Sequence, residues 1–265
     1  MKTRNWALTA LAACAIIATA PAARADVVQL GFILDRSGSI GSSNWNIIVN
    51  GLATAVNNVI PVGGPDTYEI TVVTFAANAS TTAGTSKVLV TDAAARTALG
   101  TAISGLSSAY TGGTTNYTAA FTLMDTTLRS STAGATATYI NFATDGEPNP
   151  SNANGLAMRN SMINTATDGY VDNISIEGIG SGLDAAAVSF LKNSICFPGP
   201  CTTLPAVNFP SQGFYLKVAN AQEYAAAIEN KLRIVTQQVP EPATLPLLGA
   251  ALLGMGLMNR RRKLS

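Results

Sequence analysis

The chain has 265 residues, which is enough for one large domain or two small ones. Of these residues, 47% are hydrophobic and 12% are charged. It contains no histidine, which excludes Ser-His and Cys-His catalysis as well as metal sites built on imidazole. The segment from Asp26 to Pro242 contains nine basic and fifteen acidic residues, a net charge of −6. It therefore lacks the excess of positive charge that is typical of nucleic-acid-binding domains.

The first 25 residues have the three parts of a secretory signal peptide. Lys2 and Arg4 give a basic start, an apolar run follows, and residues 23–25 have the small-x-small form of a signal-peptidase site. We therefore expect cleavage after residue 25 and export of the rest of the chain. Leu11–Cys14 also fits a lipoprotein cleavage box, so lipidation of Cys14 stays an alternative.

Strand-like and helix-like runs alternate between residues 26 and 236. Strands are predicted at Val27–Asp35, Tyr68–Ala76, Ser86–Asp92, Ala137–Asp145, Val171–Gly180 and Gly213–Val218. Helices are predicted at Asn44–Ile60, 93–103 after an Asp92 cap, Asn116–Arg129, Asn154–Thr167, 185–195 after an Asp184 cap, and Ala221–Val235. The alternation favours one α/β domain over residues 26–236. We expect a Rossmann-like, open, mostly parallel sheet with one short antiparallel edge strand and helices on both faces.

Two cysteines remain after the signal peptide. Cys196 and Cys201 enclose the tight loop "FPGP", which would allow a disulfide in an oxidising compartment. A CxxC redox site or a zinc site needs a different spacing and partners that the sequence lacks.

The chain ends in a motif of three consecutive parts. A Pro-Glu-Pro triplet is followed by an apolar run, Ala243–Met258, and then by a basic cluster. The residues of the triplet and the cluster are Pro240, Glu241, Pro242, Arg260, Arg261, Arg262 and Lys263. As a helix, about 16 residues span about 24 Å, slightly less than the roughly 30 Å hydrocarbon core of a bilayer. The basic cluster should stay cytoplasmic, so the segment would hold the chain in the membrane with its bulk outside.

This tail, residues 237–265, resembles a PEP-CTERM sorting signal, which has the same three parts in the same order at the extreme C-terminus. The resemblance implies recognition by an exosortase in the inner membrane of a Gram-negative bacterium that makes exopolysaccharide. It also implies cleavage near the triplet and release toward the cell surface and its matrix. A plain single-span anchor is the alternative.

Carboxylates and hydroxyls collect at the predicted carboxyl ends of the strands. Asp35 ends the first strand and is followed at alternate positions by Ser37 and Ser39. Asp145 ends a later strand, and Thr114 lies between them in a Gly-rich loop. Ligands of open parallel sheets bind beyond these strand ends, so we expect all five side chains at one rim. Their oxygens suit Mg²⁺ or Mn²⁺, and Ca²⁺ less well because few carboxylates are offered.

These five positions resemble the metal-ion-dependent adhesion site (MIDAS) of von Willebrand factor type A (vWA) domains. That site has a DxSxS motif after the first strand, a Thr in a later loop and an Asp after a central strand. The resemblance implies that Ser37 and Ser39 bind the cation directly. It implies that Asp35 and Asp145 act largely through water and by hydrogen-bonding the serines. Thr114 would join directly or through water, and an acidic side chain of a partner would complete the shell.

The function expected from these features is non-enzymatic, cation-dependent binding by an exported protein displayed at the cell surface or in its matrix. Arg36, inside the motif, is expected to point to solvent, where it could steer acidic ligands. One alternative is a metal-dependent hydrolase of the phosphoesterase kind that uses the same site. It is disfavoured because a G-x-S-x-G elbow and a histidine partner are missing. A second alternative is a factor that assembles envelope complexes.

Overall fold

Four long strands form the centre of the sheet in the computed structural model, which describes residues 26–149, 154–180, 182–203 and 208–237. They are β1 (Val27–Asp35), β2 (Thr67–Phe75), β5 (Ala137–Thr144) and β6 (Asn173–Ile179). Nearly every residue of these strands is buried, whichever face its side chain takes. Such continuous burial is typical of parallel strands that are covered on both faces.

Three shorter strands complete the sheet within the described residues. They are β3 (Ala79–Ser80), β4 (Val88–Val90) and β7 (Tyr215–Val218). The strand order is β3-β2-β1-β5-β6-β7, and β4 also pairs with β2. β3 and β4 run antiparallel to β2, whereas the other pairs are parallel. The predicted open, mostly parallel α/β sheet is confirmed, and the predicted short edge strand is β4. The two-residue strand β3 was not predicted.

Helices cover both faces of the sheet, as the sequence predicts. In the described part of the chain the α-helices are α1 (Ser42–Val59), α2 (Ala93–Gly105), α3 (Tyr117–Arg129), α4 (Leu156–Ile163), α5 (Ala185–Phe190) and α6 (Ala221–Gln237). α1, α2 and α6 contribute to one hydrophobic cluster, and α3, α4 and α5 contribute to another. The predicted caps form, since Asp92 accepts from the N–H of Ala95 and Asp184 accepts from the N–H of Ala187.

Two helices are shorter than the sequence predicts. The helix expected over Asn154–Thr167 covers only Leu156–Ile163, because Asn164 takes an extended conformation and its side chain accepts from the N–H of Ala166. The helix expected over 185–195 changes at Leu191–Ile195 into a π-helical turn. Local helix propensity gave no indication of either change.

The strand register places the predicted site residues at one edge. Leu34 of β1 lies opposite Ala143 of β5, so Asp35 and Asp145 follow the same end of two adjacent strands. The described chain begins and ends at the opposite edge, where the backbone oxygens of Asp26 and Thr236 accept from the first residues of β2.

Asp26–Val239 forms one compact unit that holds both hydrophobic clusters, so this part of the chain has a core of its own and is expected to fold by itself. No helix of the described residues is long and apolar enough to cross a membrane. The predicted signal peptide and the apolar run Ala243–Met258 lie outside the described residues.

Candidate metal centre

The candidate site begins where β1 ends. Asp35 is the last residue of this strand, and it is only 2% exposed. The backbone N–H of Ser37 donates to Asp35 Oδ1 at 2.8 Å, which closes the turn after the strand. Thr144, at the end of β5, donates its hydroxyl to Asp35 Oδ2 at 2.7 Å. Both carboxylate oxygens are therefore held, one by the turn and the other by the neighbouring strand.

Two hydroxyls and a second carboxylate form the outer part of the site. Ser37 Oγ and Ser39 Oγ lie 3.1 Å apart. Ser39 is exposed and donates its hydroxyl to Asp145 Oδ1 at 2.8 Å. Asp145 is half-buried and follows β5 directly. The structure thus brings the predicted serines and aspartates into one hydrogen-bonded group, although their binding of a cation stays a prediction.

The loop that carries Thr114 lies beside this group. Thr114 is exposed. The backbone oxygen of the preceding residue, Gly113, accepts a hydrogen bond of 3.0 Å from the N–H of Gly38. The following residue is tied to the other side of the site, because the N–H of Asn149 donates to Thr115 O at 2.7 Å. Gly113 has a φ of 99°, which favours glycine and explains the Gly-rich sequence of the loop.

Two residues behind the site were missed by sequence analysis. Thr144 donates to Asp35, and Tyr117, at the start of α3, lies with its hydroxyl 3.1 Å from Thr144 Oγ1. The same hydroxyl of Tyr117 donates to Gly146 O at 2.5 Å. Thr144 adjoins Asp145 in the sequence, which is a weak signal, whereas no local pattern indicates Tyr117. Together they connect the aspartate of β1 with the loop after β5.

The two aspartates are electrostatically unfavourable as a bare pair. The pKa of Asp35 is raised from 3.8 to about 7, chiefly because burial removes the carboxyl from water and also because Asp145 is negative. Hydrogen bonds from Ser37 and Thr144 lower it and offset part of that rise. The pKa of Asp145 is also raised, chiefly by burial. A cation held by the site would favour the ionised form of both carboxyls.

Arg36 does not point to solvent, and that expectation was wrong. It is 8% exposed, its Nη2 donates to Ser80 Oγ at 3.0 Å, and its Nη1 donates to the backbone oxygen of Ala109. These two hydrogen bonds hold the guanidinium inward. Arg36 therefore offers no exposed positive charge to an approaching ligand.

A groove of about 330 Å³ opens beside Ser39 and Asp145. Its other lining residues are Ile40, Asn44, Ile179, Gly180, Gly182, Ala219, Asn220 and Ala221. Apart from Asp145, the lining is uncharged, with apolar side chains and two amides. A ligand segment next to the site would therefore meet neutral surface there.

The two remaining cysteines are far in sequence from the candidate site and lie close to each other in the structure. Cys196 and Cys201 are joined as a disulfide with Cα atoms 6.2 Å apart, and both side chains are buried. Arg159 donates through Nη2 to Cys196 O at 2.6 Å and so ties the loop to α4. Whether the bridge forms in the exported protein stays a prediction.

Comparison with known protein families identifies the domain. Residues 29–191 match the model of the von Willebrand factor type A domain, a range that includes all five candidate residues. The chain belongs to the vWA family. Residues 238–263 of this vWA protein match the PEP-CTERM protein-sorting motif. Both resemblances inferred from the sequence are thereby confirmed.

Solved structures share the fold of this vWA protein at low sequence identity. Proximal thread matrix protein 1 from the mussel byssus, with a zinc-occupied MIDAS motif, is 18% identical with a TM-score of 0.53, covering 80% of this chain and 46% of that one. The pilus adhesin SpaC from Lactobacillus rhamnosus GG is 13% identical with a TM-score of 0.54, and the match covers 79% of this chain and 30% of that one. BatB from Bacteroides thetaiotaomicron is 15% identical with a TM-score of 0.50, and the match covers 80% of this chain and 100% of that one. No curated protein matches the chain.

The donors at the rim fit a small hard cation. In an octahedral shell with Mg²⁺–O distances of about 2.1 Å, adjacent oxygens lie about 3.0 Å apart. The two serine hydroxyls are separated by 3.1 Å, close to such an edge. Within the described residues, no group of three or more His, Cys, Asp or Glu could hold a metal. Any cation here would therefore rest mainly on neutral hydroxyls, which leave it electrophilic toward a further carboxylate.

Proposed function

We propose that this vWA domain is a non-enzymatic binding module that uses a divalent cation to dock a carboxylate of a partner protein or matrix component. Ser37 and Ser39 would bind the cation directly, with Thr114 beside them. Asp35 and Asp145 would orient the serines and bind through water. The observation that carries this proposal is the pair of serine hydroxyls 3.1 Å apart, backed by two hydrogen-bonded aspartates.

The charge of the surrounding loops supports a cation-dependent carboxylate ligand. The described loops at this edge of the sheet carry Asp35, Asp145, Glu147 and Asp184. Their basic residue is Arg36, which is buried. An acidic ligand would therefore be repelled by the bare site, and its binding would depend on the bound cation. We propose Mg²⁺ or Mn²⁺ as that cation, and Ca²⁺ less readily, because the site offers hydroxyls and only two carboxylates.

The structures with the same fold support binding rather than catalysis. They include a byssal matrix protein and a pilus adhesin, and in the former the MIDAS motif holds zinc. The chain spans less than half the length of each, so their whole activities do not transfer to it. Turnover of a phosphoester that depends on the same cation would instead support the hydrolase alternative.

The proposed location of the protein rests on its N-terminal segment and on the PEP-CTERM motif. The PEP-CTERM motif indicates an exported protein handled by an exosortase at the membrane. We propose that residues 1–25 are removed as a signal peptide and that 26–236 form the mature domain. The apolar run Ala243–Met258 would hold the precursor in the inner membrane until cleavage near Pro240–Pro242. The product would then reach the cell surface and its matrix.

Calorimetric titration of residues 26–239 with Mg²⁺ and with Mn²⁺ tests the proposed site. We expect one cation per domain, and no binding in Asp35→Ala or Asp145→Ala. Ser39→Ala should also weaken binding, whereas Ser43→Ala, which removes another exposed hydroxyl four residues away, should not. Unchanged affinity in Asp35→Ala or Asp145→Ala would contradict the assignment.

A further inference from the structure

Arg36 is hydrogen-bonded to three segments, to two of them through its side chain and to the third through its backbone. Its Nη1 donates to Ala109 O, at the end of the 3₁₀ turn Leu106–Ala109, and its Nη2 donates to Ser80 Oγ in β3 at 3.0 Å. Its backbone N–H donates to Phe75 O at the end of β2, at 2.8 Å. One residue of the DxSxS turn thus contacts the edge of the sheet and the start of the loop that carries Thr114.

Two further hydrogen bonds tie that loop to the turn. The hydroxyl of Tyr110 donates to Gly38 O at 3.4 Å, and the N–H of Gly38 donates to Gly113 O at 3.0 Å. Both bonds join neutral groups, whereas the bond from Arg36 to Ala109 is charge-assisted. Charge-assisted hydrogen bonds are roughly twice as strong as neutral ones. Arg36 therefore provides the strongest of the three connections between turn and loop.

Packing alone does not explain an arginine at this position. A buried guanidinium is costly unless its charge is compensated, and no salt bridge of the described residues includes Arg36. Its Nε is buried without a hydrogen-bond partner. Methionine would fill a similar volume without that cost. What arginine adds is a rigid fork of donors that reaches two separate segments at once.

We propose that Arg36 is a positioning residue for the cation site. Its fork fixes Ala109 and Ser80, and so holds the Thr114 loop against the turn that carries the two serines. Arg36 itself contacts neither cation nor ligand. The inference rests on the proposed function, because it gives Arg36 a part in the cation affinity of that site.

Arg36→Met, compared with Arg96→Met, tests the role. Arg96 is a matched control, because its Nη1 also donates to a backbone oxygen, Ile60 O at 2.9 Å, and its Nε is also buried without a partner. In Mn²⁺ titrations of residues 26–239, we expect Arg36→Met to bind about tenfold more weakly and Arg96→Met to bind as the wild type does. Arg36→Lys should recover part of the loss, since an ammonium can reach one acceptor but not both.

A double-mutant cycle with Thr114→Ala separates positioning from general destabilisation. If Arg36 acts through the Thr114 loop, Arg36→Met should have little further effect on cation affinity in the Thr114→Ala background. Equal losses in both backgrounds would overturn the inference. So would unchanged affinity in Arg36→Met, or an equal loss in Arg96→Met.

Amide exchange at Gly38 tests the same connection without any cation. Its N–H donates to Gly113 O, so loosening of the loop should speed its exchange in metal-free protein. We expect the Gly38 amide to exchange faster in Arg36→Met than in the wild type, and at the wild-type rate in Arg96→Met. Absence of cation binding by the wild type contradicts the proposed function, and Gly38 exchange then still decides the structural role of Arg36. Unchanged exchange in Arg36→Met overturns the inference whatever the wild type binds.

Discussion

At the scale of single residues, the burial of Asp35 explains why the candidate site would favour a bound cation. Its carboxyl accepts from the N–H of Ser37 and from the hydroxyl of Thr144, yet burial still raises its pKa to about 7. Two hydrogen bonds therefore do not replace the lost hydration of the charged form. A bound cation would supply the missing positive charge. The proton and the cation should compete for this residue.

We predict that the metal-free domain becomes less stable as pH rises from about 4 to about 7. The folded-state pKa of Asp35 is about 7, above its unfolded value of 3.8, so the folded state holds a proton that the unfolded state has released. Stability from this group is complete below the unfolded pKa and is lost as pH approaches the folded pKa. Cation affinity should rise over the same range. Urea unfolding with chelator, at several pH values, measures the effect.

The matched variant for this prediction is Asp35→Asn, which keeps the shape of the side chain but cannot titrate. It should make the fall in stability between pH 4 and pH 7 shallower by the share that Asp35 contributes, while Asp145 and Glu177, whose pKa values burial also raises, keep their shares. Saturating Mg²⁺ should reduce the fall in stability of the wild type, because a bound cation favours the ionised carboxyls of the site. An equally steep fall in Asp35→Asn would show that another group is responsible.

Local motifs made most of the site predictable, but not its supporting contacts. The DxSxS spacing identifies Asp35 and the serines without knowledge of the fold. Thr144 and Tyr117 support Asp35 only because β5 lies beside β1 in one particular register. The direction of Arg36 depends on acceptors at distant positions in the sequence, so a motif could not predict it.

At the scale of elements, a buried ion pair attaches the last helix to the sheet. Lys231 of α6 donates to Glu177 Oε1 of β6 at 2.7 Å and also to Asn141 Oδ1 of β5. Its ammonium lies 4.8 Å from the ring centroid of Phe214. Burial raises the pKa of Glu177 and lowers that of Lys231, while the attraction between them opposes both shifts. The pair therefore fixes α6 at one position along the sheet.

We predict that Lys231→Met destabilises the domain by about 3 to 5 kcal/mol, because it leaves the carboxylate of Glu177 buried without its partner. Denaturant unfolding at neutral pH measures the loss. Adding Glu177→Gln should recover most of it, since the uncompensated charge is then gone. A double variant no more stable than the single one would contradict this explanation.

Buried strands were predictable because hydrophobic runs bounded by turn residues mark them. The predicted strand Tyr68–Ala76 differs from β2 by one residue at each end. Shorter features escaped prediction because tertiary contacts decide them. β3 has two residues and exists through pairing with β2, and the end of α4 depends on how Asn164 bonds to the following turn. No pattern in the sequence encodes such pairings.

The loop of the two cysteines should be oxidised in the exported protein. Cys196 and Cys201 enclose four residues, and isolated bridges pair Phe197 with Ile174 and Thr202 with Phe214 on either side. The backbone thus holds both cysteines in place beside β6 and the start of β7. We expect thiol reagents to label neither cysteine in denatured native-host protein until a reductant is added. Free labelling of both without reductant would count against the bridge and the exported location.

At the scale of the whole domain, the candidate site and the two ends of the described segment 26–237 lie at opposite edges of the sheet. Asp35 and Asp145 follow the carboxyl ends of β1 and β5. Asp26 and Thr236 instead lie beside the beginning of β2, where Asp26 O accepts from Thr67 N at 2.8 Å and Thr236 O accepts from the hydroxyl of Tyr68 at 3.4 Å. Changes at either end of the described domain should therefore leave the site intact.

This arrangement predicts that removal of the sorting motif releases the domain without changing its cation affinity. α6 ends at Gln237, and the motif begins at residue 238, so a cut near Pro240–Pro242 falls beyond the folded helix. Proline-rich segments stay extended and lack helical hydrogen bonds, which suits binding in a protease active site. Intact-mass analysis of the surface-released protein should show loss of the apolar run and of Arg260–Lys263. Its Mn²⁺ affinity should equal that of the uncleaved precursor in detergent. Released protein that retains Arg260–Lys263 would show that the tail is only an anchor, and a changed affinity would show that the tail acts on the site.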